Sequence, residues 1–391
     1  MLTILTINGG SSSIKFALYE LQSTLNKVLH GEIERIGIEG TKFRWNDNEE
    51  NINAKDHTEA AKFLIDWLDK QHSFASVKAV GHRIVYGMQH TAPQTITPEL
   101  LKELKEIASF DPEHMPGEIK LIEFFSEQYP DLPQVACFDT AFHADMPRMA
   151  KLLALPRRYD QAGIQRYGFH GLSYAYLMED LGKEAGSKTI LAHLGNGASL
   201  AAVKEGKSVD TTMGFTPTSG LPMSTRTGDI DPGVAWYLMQ SEKLSPQQFN
   251  HIINHESGLL GISGISPDMR ELMKQEPDND HAAEAVEFFC YQTRKWIGSF
   301  AAVLGGLDTL VFAGGIGENA PEIRMRICAE LDFLGIALDL EKNHLNERII
   351  STYDSRVKVY VIHTNEELII AKMVLRVQGE TLPSTPQFFS N

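Results

Sequence analysis

Residues 2–20 read LTILTINGGSSSIKFALYE, and residues 187–206 read SKTILAHLGNGASLAAVKEG. Each stretch is a short apolar and β-branched run, a turn of Gly, Asn and Ser, and a second apolar run. That form predicts an antiparallel strand pair with a polar tip. Glycine in the tip lets backbone N–H groups point into one concavity, and serine hydroxyls add donors, a set that suits phosphate oxygens. Building the tip twice implies a duplicated α/β unit whose two tips grip one polyphosphate across a cleft between lobes.

Strand-like and helix-like runs alternate outward from both tips. HTEAAKFLIDWLDKQ (57–71) has helical apolar spacing, and VKAVGHRIVYG (77–87) reads as a strand with its loop. TPELLKELKEIASF (97–110) predicts a helix capped by Thr97 with Pro98 in its first turn. PQVACFDTAFH (133–143) predicts a buried strand ending in polar residues. The second half predicts a long helix from about His281 to Leu304, a strand at LDTLVFAGG (307–315) and a helix at ENAPEIRMRICAELDFL (318–334). A strand at VKVYVIHT (357–364) and a helix at NEELIIAKMVLRVQ (365–378) complete it. The charged stretch 38–57 reads as an exposed hairpin or insertion, and 381–391 as a loose tail.

The bulk numbers narrow the class. The 391 residues are 42% hydrophobic and 22% charged, which is the composition of a globular protein long enough for two domains. A formal charge of −15 argues against nucleic acid or an anionic membrane as partner, since both need a basic face. No apolar run approaches a membrane span, and the six residues before the first turn are too few for a signal-peptide core, so the expected location is cytoplasmic. The three cysteines, Cys137, Cys290 and Cys328, have no metal or disulfide spacing and read as buried thiols.

Several motifs carry chemistry-bearing residues. In NGGSSSIK, Lys15 adds a cation to the tip and Asn8 a neutral oxygen for a metal or its water. The stretch is neither a Walker A loop nor GxGxxG, and by itself it is equally a simple hairpin turn. FAGGIGENAPEIR ends a strand in Gly314, Gly315, Ile316 and Gly317, after which Asn319 is placed to cap a helix with Pro321 in its first turn. Small residues there admit a flat ring against the backbone, or serve only a tight connection. The loop GFTPTSGLPMSTRTGDIDPG (214–233) is long enough to be functional. Arg226 in it presents a fork to a phosphoryl group, unless it pairs with Asp229. Arg83, Asp139 and His170 stand where predicted strands end or loops begin.

Taken together, TINGGSSSIKF, GHRIVYG, CFDTAFH, RYGFHGLS, HLGNGAS, TRTGDIDPG, SPDMRE, FAGGIGEN and TNEEL resemble the acetate kinase family, within the acetate and sugar kinase, Hsp70 and actin superfamily. They occur in the family's order from Asn8 to Glu367. The resemblance implies two ribonuclease H-like lobes, residues 1–145 with 370–391 and residues 146–369, with ATP and Mg²⁺ (or Mn²⁺) between them. It implies in-line phosphoryl transfer from ATP to acetate, giving acetyl phosphate and ADP, in a homodimer. Propionate, butyrate or a substituted acid is the alternative acceptor, and an actin- or Hsp70-like ATPase without a small acceptor the rival from another class.

Carried over by motif, Asn8 and Glu366 hold the metal, with Glu367 the alternative to Glu366. Ser11, Ser13 and Lys15 face the phosphates, while His193, Leu194, Gly195, Asn196 and Gly197 hold the nucleotide with Asp268, Met269, Arg270, Gly315, Ile316, Gly317, Glu318 and Asn319. Arg83, Asp139, His170 and Arg226 are the implied catalytic residues, with Asp139 orienting an arginine or the metal's water. Val85, Phe169 and Pro217 line the acyl pocket beside Arg83. The chain departs from the family at DPEHMPGE (111–118), where PLHNP is usual and Glu113 takes the place of a pocket leucine. The 217–227 loop also departs from the usual pattern.

Overall fold

The computed structural model describes residues 2–10, 12–37 and 40–380. Its described residues form two compact units. The first takes those up to Ala141, with Gly171–Tyr176 and those from Asn365 onward, and the second takes Phe142–His170 with Leu177–Thr364. Ser11 and the expected tail 381–391 lie outside the described residues.

In the first unit the opening stretch forms β1 (Leu2–Gly9) and β2 (Ser13–Leu21), antiparallel, with Asn8 opposite Lys15. Next come β3 (Leu25–Glu34), β4 (Lys42–Trp45), β5 (Asn48–Asn51), β6 (Val77–Ile84), β7 (Gln94–Thr95) and β8 (Gln134–Phe138). Their sheet order is β5-β4-β3-β2-β1-β6-β8-β7, with β1, β6 and β8 parallel. In the second unit β9 (Lys188–Leu194), β10 (Ala198–Lys204), β11 (Lys207–Thr211), β12 (Thr309–Ala313) and β13 (Lys358–Val361) run in the order β11-β10-β9-β12-β13. β9, β10 and β11 are antiparallel, and β9, β12 and β13 parallel. The core β3-β2-β1-β6-β8 repeats this order and these directions. The duplication read from the two tips is therefore a duplication of whole sheets.

Local chemistry explains the elements. β1 is central, so Ile4, Leu5 and Ile7 are all buried along a nearly continuous apolar run. Thr97 caps the helix Pro98–Ile107 by accepting from the Leu100 N–H at 3.2 Å, as expected. The stretch 38–57 does contain a hairpin, β4 with β5, but it is only half exposed. Phe43 is fully buried and contacts the rings of Phe16, Phe63 and Trp67. The single helix expected over 318–334 is instead Gly314–Asn319 followed by Pro321–Cys328. Pro321 cannot donate into a continuing helix, so the ladder breaks ahead of it.

Gly81 positions the functional end of the first unit. A Cβ there would meet Ile370 Cγ2 at 2.5 Å and Val374 Cγ2 at 2.6 Å. The missing side chain lets the helix Glu366–Val377 seat directly on β6, bringing its first residues to the end of β1.

Candidate active site

The first unit gathers acids and a guanidinium around the end of β1. Asn8 Nδ2 donates to Glu366 Oε2 at 2.8 Å and to Glu367 Oε1 at 3.2 Å. Both glutamates open the helix Glu366–Val377, which Asn365 caps by accepting from the Leu368 N–H. Burial raises the Glu366 pKa; Arg83 opposes this, and Asp139 and Glu367 reinforce it. Lys15 faces the same acids: partial burial lowers its pKa, but Glu367, Glu366, Glu32 and Glu34 outweigh that and raise it.

Arg83 is held on three sides. Nε and Nη2 donate to Asp139 Oδ2 at 3.2 and 2.8 Å, and Nη1 to the Gly9 carbonyl at 2.9 Å. Burial alone would depress its pKa, but Asp139, Glu366 and Glu118 raise it, so it stays a fixed cation. Asp139 is fully buried at the end of β8, and its Oδ1 accepts from the Leu172 N–H at 3.2 Å. Val85 is buried beside this pair, and its N–H donates to Glu118 Oε2 at 2.9 Å.

The second unit builds a different surface at the end of β9. His170 adopts the left-handed region, with φ 57°, a conformation that costs a non-glycine residue about 1–2 kcal/mol. Its Nδ1 hydrogen-bonds Ser199 Oγ at 2.8 Å, and its ring stacks on His193 with centroids 4.4 Å apart. A Cβ at Gly197 would sit 3.2 Å from His170 Nε2 and 3.7 Å from Arg226 Nη1, so two cationic or donor groups border one point beside a backbone turn. Gly195 N–H closes that turn onto the Gly197 carbonyl at 3.0 Å, and Asn196 bonds Ser224 through both backbone and side chain. Arg226 Nη1 donates to the Pro217 carbonyl at 3.2 Å. Asp229, the alternative partner, accepts from the Gly220 N–H at 2.9 Å. Phe169 is buried, its carbonyl bonded by His143 Nε2.

The glycine-rich segment packs against the same hairpin. Gly314, at φ 74°, would place a Cβ 2.7 Å from the Leu194 carbonyl oxygen, which only glycine avoids. Gly315, Ile316, Gly317 and Glu318 lie in the short helix, and Glu318 Oε1 accepts from the N–H groups of Gly314 and Thr364. Asn319 does not cap the helix that follows. It is the last residue of its own helix, and its Nδ2 donates back to the Gly315 carbonyl. Asp268 caps Met269–Gln275 and pairs with the exposed Arg270, while Met269 is buried and can offer a ligand only its backbone.

Two residues carry more here than the motifs showed. Glu118 is 3% exposed and accepts from the Val85 N–H, although within DPEHMPGE the sequence drew notice only to Glu113. Arg324 is fully buried and carboxylate-free in its bonding. It donates to the carbonyls of Gly317, Glu318 and Asn343 and to the side chains of Asn343 and Asn346, which ties down the Gly314–Asn319 segment. Burial lowers its pKa to about 10.

Fixed guanidiniums, an imidazole and amide-lined turns are what anionic phosphoryl chemistry requires. Comparison with known proteins decides which chemistry. The acetokinase family pattern matches residues 3–372. The chain belongs to the acetokinase family. An acetate kinase of Thermoanaerobacterium thermosaccharolyticum is 46% identical over 94% of this chain and 97% of its own. A propionate kinase of Citrobacter rodentium is 43% identical over 98% of each. The crystal structure of Porphyromonas gingivalis acetate kinase superposes with TM-score 0.85 at 35% identity, covering 97% of this chain and all of that one. The chain has the actin-like ATPase fold and is a phosphotransferase with a carboxyl acceptor, using ATP and ADP.

Proposed function

We propose that the chain transfers the terminal phosphoryl group of ATP in line to acetate, reversibly forming acetyl phosphate and ADP, with propionate as the second acceptor. The observation that carries this is Arg83, a buried guanidinium locked on Asp139 and the Gly9 carbonyl, which suits an organic anion in a net-acidic chain. A carboxylate is ionised near neutral pH, so no base is needed to make the nucleophile. In this reading Arg226 and His170 neutralise and hydrogen-bond the phosphoryl oxygens as charge spreads over them. Arg83, Val85, Phe169 and Pro217 receive the acceptor. Lys15 and Ser13 serve the phosphates. The 193–197 turn, the Asp268–Arg270 stretch and the 315–319 segment serve the nucleotide.

Asn8 draws two carboxylates to one amide, a set of hard oxygens that fits Mg²⁺, which commonly binds through one or two carboxylates plus substrate phosphate. We assign it to Asn8, Glu366 and Glu367. When bound it supplies neutralising charge to the phosphates. We also propose a cytoplasmic homodimer. In the helix Pro232–Ser241 no residue is buried, and Trp236 and Tyr237 are 69% and 63% exposed, an apolar face suited to a second copy. No helix among the described residues is long and apolar enough to cross a membrane.

The deciding assay is hydroxylamine trapping of the acyl phosphate from ATP, magnesium and a panel of acetate, propionate and butyrate. Acyl hydroxamate forming with acetate foremost is the expected result. ATP hydrolysis indifferent to every carboxylate would refute the proposal.

A further inference from the structure

The segment 111–118, where the chain departs from its family, buries two acids, Asp111 and Glu118, each 3% exposed. Glu118 Oε2 accepts from the Val85 N–H at 2.9 Å, while Oε1 is buried without a hydrogen-bond partner among the described residues. Its Cγ lies 3.5 Å from the Cβ position of Gly9, the residue whose carbonyl holds Arg83 Nη1. Arg83 spends its bonds on Asp139 and Gly9, and its three described hydrogen bonds leave Glu118 out. A charged carboxylate in that position would be expected to draw the guanidinium into a pair.

Resting on the acceptor assignment above, we propose that Glu118 is a positioning residue for the acceptor end. As an uncharged acid it anchors the Val85 backbone and leaves the Arg83 charge to the substrate carboxylate; once ionised, it competes with the substrate for that charge. The groups around it agree. Burial pushes the Glu118 carboxyl up to about 8; Arg83 and the Val85 N–H oppose that, and Asp111 and Asp139 add to it. Asp111 is hydrogen-bonded to His114 Nδ1 at 3.0 Å and Asp139 to Arg83, and the negative charge of each opposes ionisation of Glu118. Glu113, the acid flagged by the sequence, is only partly buried.

The test is the KM for acetate between pH 6 and 9.5, against the KM for ATP, in wild type and Glu118→Gln. Acetate is fully ionised over this range, so a titration in its KM belongs to the protein. We expect the wild-type KM for acetate to rise above pH 8, about tenfold by pH 9, with the KM for ATP flat. Glu118→Gln keeps an acceptor for the Val85 N–H and is never charged, so its KM stays low and flat. Glu118→Ala, which loses the anchor, has a raised KM at every pH without the alkaline rise. A flat wild-type profile overturns the inference, as does a rise shared by the KM for ATP or retained in Glu118→Gln. The wild-type profile decides alone if a variant fails to fold. Acetyl phosphate formed with a flat profile refutes this role only, whereas none formed at any pH refutes the proposed function.

Discussion

Arg83 gives two of its donors to one oxygen of Asp139, Oδ2, at 2.8 and 3.2 Å, and leaves Oδ1 to the Leu172 N–H. One buried carboxylate thus fixes both a cation and the start of the helix Gly171–Leu181. Asp139→Ala strands the Arg83 charge in a dry site and should cost about 3–5 kcal/mol, read by urea unfolding. Asp139→Asn keeps the shape but not the charge. Its turnover should fall on the order of tenfold or more, with a smaller loss of stability.

Gly197 tests the crowding at the second unit's turn. Alanine there presses on His170 Nε2 and Arg226 Nη1, at 3.2 and 3.7 Å, without needing a left-handed backbone. Gly197→Ala should fold with nearly unchanged melting temperature and lose turnover by roughly 10²-fold, because small displacements of positioning groups are costly. Unchanged kcat would separate that point from the chemistry.

Arg226 is assigned to the transferring phosphoryl group. Removing one such donor typically costs about 10²–10³-fold in kcat. Arg226→Ala should show that loss with the fold intact by circular dichroism. Near-normal turnover would show the assignment to be wrong.

Arg324 ties the 314–319 segment to Asn343 and Asn346 through five hydrogen bonds to neutral oxygens, two of them to the Gly317 and Glu318 carbonyls. Arg324→Met leaves those oxygens buried and unpaired, at about 1–3 kcal/mol for each one not re-satisfied. The variant should unfold at lower urea and, where it folds, show a raised KM for ATP with the KM for acetate unchanged.

His82 makes acid stability measurable. Burial drives its pKa down to about 4 from 6.5, against a raising contribution from Gln134. The unfolded chain therefore binds the extra proton first, and stability falls as pH drops from 6.5 toward 4, at up to about 1.4 kcal/mol per unit. His82→Phe should flatten that limb in urea titrations at pH 4.5, 5.5 and 6.5.

Much of this was legible in the residues. The two tips, their strand pairs and the cap at Thr97 follow from local propensity and turn chemistry. Arg83, Asp139 and His170 stood out because polar residues at strand ends are where open α/β sheets work. Glu118 did not, since an acid four residues into a helix reads as a solvated face until its neighbours are known. Arg324 was not singled out either, because its burial is set by Asn343 and Asn346, distant in sequence. Asn319 was misread because a cap signal before Pro321 takes no account of the short helix already ending there.

The alternation of strands and helices and the duplicated strand–turn–strand opening are periodic and compositional properties, and the sequence by itself determined them, whereas the order of strands in each sheet was decided by long-range pairing. Which acid is buried, which guanidinium is locked and which histidine is held left-handed depend on long-range packing, such as the helix Glu366–Val377 descending onto Gly81. Burial decides charge state and contact, and it is a property of neighbours far apart in sequence.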